Sequence, residues 1–100
     1  MHLGNKIKEL RESKGILQRQ LAASLDIDTP MFSKIERGDR RAKREQVVKL
    51  AELLQNDVNE LLTIWLADQV YEIVKDEDTA VGALKIAEIT VKYSKVEKDV

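Results

Sequence analysis

The sequence predicts an all-α fold. Apolar residues recur at intervals of three and four, the β-branched alternation of half-buried strands is absent, and chain breakers are few, with four glycines and one proline in 100 residues. Leu3, Ile7 and Leu10 form a first helical stripe that stops before Gly15, a residue suited to end a helix. Leu21, Ala22 and Leu25 line a short second helix. Phe32 and Ile35 line a third, which ends at Gly38. Val47, Leu50, Ala51 and Leu54 line a fourth. Val58, Leu61, Leu62, Trp65, Leu66, Val70, Ile73 and Val74 mark a long fifth, and residues 79 to about 95 a sixth. The connections are short, with no linker, repeat or low-complexity stretch.

A chain of this length fits one domain and can bury a core without disulfides, and it has no cysteine to form one. With 35% charged and 43% hydrophobic residues, the composition points to a folded, soluble, cytoplasmic protein rather than a disordered one. The longest run without a charge is Leu61 to Ala67, far short of the roughly 20 apolar residues a membrane span needs. No apolar segment follows Met1-His2-Leu3-Gly4, so no signal peptide is expected. One histidine and no cysteine leave no metal set and no cysteine nucleophile. Asp76, Glu77 and Asp78 cluster, but as a polar loop leading into the last helix. No enzyme, metal or cofactor is expected.

The formal net charge of −1 conceals an asymmetry. Residues 1–50 hold twelve Lys or Arg against seven Asp or Glu, a net of +5; residues 51–100 hold five against eleven, a net of −6. A basic half joined to an acidic half hints at a polyanion-binding surface.

Residues 18–38 read Gln-Arg-Gln-Leu-Ala-Ala-Ser-Leu-Asp-Ile-Asp-Thr-Pro-Met-Phe-Ser-Lys-Ile-Glu-Arg-Gly. Leu21, Ala22 and Leu25 face inward from one helix, Ile27 plugs the turn, and Phe32 and Ile35 face inward from the next. Ala22 is small enough to let the two helices cross closely. The pattern resembles the helix-turn-helix of the phage Cro/repressor (Xre-type) family, and Phe-Ser-Lys-Ile-Glu-Arg-Gly at 32–38 is similar to that family's recognition-helix ending. The resemblance covers about residues 3–62. It implies a five-helix Cro/repressor-like domain over 1–62, with 63–100 a C-terminal helical extension packed on it and serving dimerisation.

The resemblance also implies a function: a sequence-specific double-stranded DNA-binding transcriptional regulator, more specifically a repressor, whose recognition helix at about 29–37 enters the major groove. With Phe32 and Ile35 buried, Thr29, Pro30, Ser33, Lys34 and Arg37 share the opposite face. Thr29, Pro30, Ser33 and Lys34 are the base-reading candidates; Lys34 can donate to guanine O6 and N7. Gln18, Arg37, Arg40, Arg41, Lys43 and Arg44 are the phosphate candidates; Gln18 matches the family's phosphate-contacting glutamine, and the others crowd the loop after the recognition helix. Lys43 and Arg44 stand at a helix start, where the dipole disfavours cations, which suggests an external anion. Glu36, in the last turn of the recognition helix, matches a family position paired with an Arg of the first helix, and Arg11 holds that place.

Three residues depart from the family pattern. Pro30 stands where a polar base-reader is common and offers only shape or contact with a thymine methyl. It fits the first helical turn, with Asp28 or Thr29 as the N-cap. Leu17 replaces the usual capping Ser or Thr of the second helix, at a cost of about 1 kcal/mol. Asp26 replaces the usual turn glycine, and Asp tolerates the left-handed conformation.

The last helix carries two apolar stripes. Ala80, Ala83, Leu84, Ala87 and Val91 form one, and Ile86, Ile89, Thr90 and Tyr93 the other. One stripe can pack on the chain's own core, and the other calls for a second chain. A homodimer is expected, with Leu62, Trp65, Leu66, Val70, Ile86, Ile89 and Tyr93 at its interface. Such a dimer can set two recognition helices about 34–36 Å apart, one turn of DNA. Gly82 inside the helix hints at close helix approach. The competing reading is an antitoxin or adaptor whose main partner is another protein, such as a toxin, with DNA binding secondary.

Overall fold

A computed structural model describes residues 2–98; residues 1, 99 and 100 of the two expected domains lie outside it. Six helices follow in order: α1 (His2–Ser13), α2 (Gln18–Ser24), α3 (Thr29–Arg37), α4 (Arg44–Leu53), α5 (Val58–Val74) and α6 (Ala80–Lys98). The described residues hold no strand, and none of their helices is long and apolar enough to cross a membrane.

The caps explain where the helices begin and end. Asp28 caps α3, its Oδ1 accepting from Met31 N–H at 2.7 Å, and Pro30 occupies the first turn where no N–H is needed. Gly38 ends α3 in the left-handed region, with φ 81°. Asp26 turns the chain between α2 and α3 with φ 58°, in the place of the expected glycine. The uncapped start of α2 has a partial remedy: Gln20 Oε1 reaches back to accept from Leu17 N–H at 2.8 Å. Gln46 does the same for Lys43 N–H at the start of α4, also at 2.8 Å.

By its contacts the chain divides into two compact units, one running to Gln69 and one from Val70 onward. The expected boundary at residue 62 falls inside α5, which has no break there. Residues 63–69 belong with the first unit because their side chains are tied into it. Trp65 Nε1–H donates to Ala42 O at 2.8 Å. Asp68 is buried and accepts from His2 N–H at 3.2 Å and from Leu3 N–H at 2.9 Å. Asp68 thus satisfies two free N–H groups of α1, a helix with no acidic residue in its own first turn.

The core of the first unit is contiguous. Ile7, Phe32, Val47, Leu50, Leu54 and Leu61 are fully buried, with Leu3, Leu21, Ala22, Ile35 and Ala51 around them. Leu62 and Trp65 pack half-buried against this core. They are thus partly covered by the chain's own core. Gly4 brings α1 against the end of α3: a Cβ there would collide with the backbone oxygen of Glu36 and stand 2.8 Å from that of Ile35.

In the second unit most of the large apolar side chains are exposed, and Val74 is half-buried. Val70 and Ile73 of α5, and Leu84, Ile86, Ile89, Val91 and Tyr93 of α6, all lie open. Both stripes of α6 are largely exposed, with Ala80 half-buried. Gly82 meets open space, so no close helix approach explains it.

Counted over these two units, the charge is distributed differently. Up to Gln69 the chain holds twelve cations and eleven anions, a net of +1; from Val70 onward it holds five and seven, a net of −2. The basic character is therefore local to the stretch 34–44 rather than a property of a whole domain.

Candidate nucleic-acid interface

Helix α3 has two unlike faces. Phe32, Ile35 and Glu36 are buried. Thr29, Pro30, Lys34 and Arg37 are exposed, and Ser33 is half-buried among them. The structure thus brings all four base-reading candidates to one outward surface.

Beneath that surface, Glu36 is held by three hydrogen bonds. Arg11 Nε donates to its Oε2 at 2.7 Å and Arg11 Nη2 to its Oε1 at 3.2 Å. Gln18 Nε2 donates to Oε1 at 2.9 Å. Arg11 also donates through Nη1 to Ile16 O at 2.9 Å. Both charged side chains are well shielded, Arg11 at 11% and Glu36 at 3% exposure. The bonds to Glu36 push the Arg11 guanidinium above its ordinary value, against the opposing effect of burial. One carboxylate therefore joins α1, the start of α2 and the last turn of α3. It resolves the unfavourable position of an anion at a helix C-terminus by surrounding it with donors.

Gln18 takes part in this internal network. Its amide N–H is directed at Glu36, so the group expected on a phosphate is already engaged. The sequence marked Gln18 but gave no sign of its inward partner, because the two are 18 residues apart.

The loop from α3 to α4 carries the remaining phosphate candidates. Arg40, Arg41, Lys43 and Arg44 are all exposed, while Ala42 between them is buried at 3% exposure. Lys34 O accepts from Asp39 N–H at 2.9 Å and from Arg40 N–H at 3.3 Å, which folds the loop back on the end of α3. Arg37 lies within hydrogen-bond reach of Asp39 and Ser33, with its Nε 3.1 Å from Asp39 Oδ2 and its Nη1 3.3 Å from Ser33 Oγ. Both charged members of this pair are more than half exposed, so the pair is weak and exchangeable. Arg44 has a partner too: its Cζ stands 5.6 Å from the centre of the Trp65 ring. The cation at the start of α4 thus has an internal contact that sequence reasoning missed.

Leu66, Val70, Ile86, Ile89 and Tyr93 are exposed, whereas Leu62 and Trp65 are half-buried. Asp68, the buried cap of α1, was also invisible in the sequence, where it reads as one more acid on a helix.

A family model described as Helix-turn-helix matches residues 7–61, more than half of the chain. No curated protein and no solved structure matches the chain significantly. The match spans the inward-facing core, the crossing of α2 and α3 and the basic loop, and its family is one of DNA-binding regulators. The chain belongs to the helix-turn-helix family of the Cro/repressor (Xre) type.

Proposed function

We propose that the protein is a sequence-specific regulator that binds double-stranded DNA as a homodimer and represses transcription in the cytoplasm. The observation that carries this reading is the outward face of α3, with Thr29, Pro30, Ser33 and Lys34 standing beside the exposed cations of the loop at 40–44. A helix whose far side is anchored by Glu36 can enter a major groove without reorganising. Lys34 reads guanine, Thr29 and Ser33 offer hydroxyls to base edges or phosphates, and Pro30 contributes shape and a contact for a thymine methyl. Arg37, Arg40, Arg41, Lys43 and Arg44 neutralise phosphates. Gln18 reaches a phosphate through its remaining polar groups or by exchanging its bond to Glu36.

The homodimer reading draws on the exposed apolar side chains from Leu66 to Tyr93. The same surface favours a second reading, in which the chain is an antitoxin or adaptor and another protein, such as a toxin, covers these residues.

Selection of bound sequences from a random DNA pool tests the first reading. A palindromic consensus with half-sites about one helical turn apart is expected. Failure to enrich any sequence overturns it.

A further inference from the structure

Trp65 reaches from α5 to the loop between α3 and α4 and makes two contacts there. Its Nε1–H donates to Ala42 O at 2.8 Å, and its ring lies 5.6 Å from the Arg44 guanidinium. Ala42 is the buried midpoint of the basic loop, and Arg44 is its last cation. We propose that Trp65 is a positioning residue for DNA binding, which fixes the loop at Ala42 and holds the Arg44 guanidinium over its ring so that the edge of that group meets a phosphate. The inference rests on the DNA-binding reading above.

The chemistry of the two groups allows both contacts at once. A guanidinium offers its flat face to an aromatic ring and its N–H donors at its rim to an anion. Stacking on Trp65 therefore leaves Arg44 able to bind phosphate. It also removes rotamer freedom from a long side chain before the ligand arrives, and that ordering cost would otherwise be met on binding. The ring compensates for a second cost. Arg44 opens α4, where the helix dipole disfavours a cation, and the π face of the indole attracts one. The bond to Ala42 O acts on the backbone, so it sets Arg40, Arg41 and Lys43 as well as Arg44.

The test uses the full chain, a 20-base-pair duplex of mixed sequence and a salt series. Trp65→Phe keeps a ring and removes the N–H donor. It is expected to weaken binding on the order of threefold to tenfold, with the slope of log affinity against log salt unchanged because no phosphate contact is lost. Arg44→Ala is expected to weaken binding and to lower that slope by about 0.9. Trp65→Leu is made alone and together with Arg44→Ala; the double variant is expected to cost less than the product of the Trp65→Leu and Arg44→Ala losses, since the ring acts partly through Arg44. Trp65 is the only tryptophan of the chain, so its emission gives a readout that needs no change at position 65. Arg44→Ala and saturating duplex should each shift it.

Trp65 variants that lower the unfolding midpoint while binding duplex as tightly as the parent overturn the inference. Emission unmoved by both Arg44→Ala and duplex does so as well. Multiplicative losses in the double variant remove the role of Arg44. A parent chain that binds no duplex overturns the DNA-binding reading itself, a result distinct from all of these.

Discussion

Glu36 shows how much one side chain can decide. It is buried at the end of α3, where its charge is unfavourable to the helix, and three donors from Arg11 and Gln18 surround it. Removing one partner of a buried pair leaves an uncompensated charge and costs about 3–5 kcal/mol. Arg11→Met is therefore expected to lower the urea midpoint of unfolding by roughly 1 M or more. An unchanged midpoint would show the pair to be idle. The pH dependence has a definite sign. The folded value of Arg11 is raised, so its contribution is fully present below the ordinary guanidinium value and is lost only as pH rises through the still higher folded one. The two helical glycines Gly4 and Gly82 give a second prediction, because the same change should act in opposite directions. Gly4→Ala drives a methyl group into the backbone at Ile35 and Glu36 and should destabilise the fold by roughly 1–3 kcal/mol, beyond the gain in helix propensity. Gly82→Ala meets open space and should add up to about 1 kcal/mol of helix stability. Denaturation followed by circular dichroism reads both.

At the scale of elements, the proposed DNA surface consists of one short helix and the loop that follows it. Phe32 and Ile35 set the rotation of α3 by burying one face, so Thr29, Pro30, Ser33 and Lys34 turn outward. The loop returns beneath the helix end through the bonds of Asp39 and Arg40 N–H to Lys34 O. Its cations then lie beside the reading surface, but they carry no sequence information in themselves. Arg40→Ala is expected to weaken binding to every duplex by about the same factor and to lower the salt slope by about 0.9. A loss confined to one operator sequence would assign Arg40 to base reading instead. Salt-dependent binding to a selected and a scrambled duplex distinguishes the two.

At the scale of the whole molecule, the two units differ in what they bury. The first, up to Gln69, holds the contiguous core and the proposed DNA surface. In the second, from Val70, most of the large apolar side chains are exposed: Ile73 is 77% exposed, Ile86 69% and Ile89 66%. Such side chains are covered favourably by another chain. Ile89→Glu is expected to convert the proposed dimer to monomer in sedimentation, with the circular dichroism of the first unit little changed. A variant that stays dimeric would remove Ile89 from the interface. The weaker binding of a monomer to a palindromic site would follow from the loss of linkage between the two reading heads.

Sequence alone determined the helices, the inward set from Leu21 to Ile35, and the outward face of α3, because periodicity is a local property and each of these follows from spacing along one helix. The caps at Asp28 and Gly38 and the positive φ of Asp26 were legible for the same reason: they depend on a residue and its nearest neighbours. Only the tertiary structure decided what the isolated polar residues do. Gln18 turns in to Glu36, Asp68 caps α1 from 65 residues away, and Trp65 reaches Ala42 and Arg44. A hydrogen bond between distant residues leaves no periodic trace in the chain, since it is set by how helices cross and not by spacing within one of them. The same holds for the charge. The sum over each half pointed to a basic domain, whereas the folded unit is nearly neutral, with six of its twelve cations on the stretch 34–44.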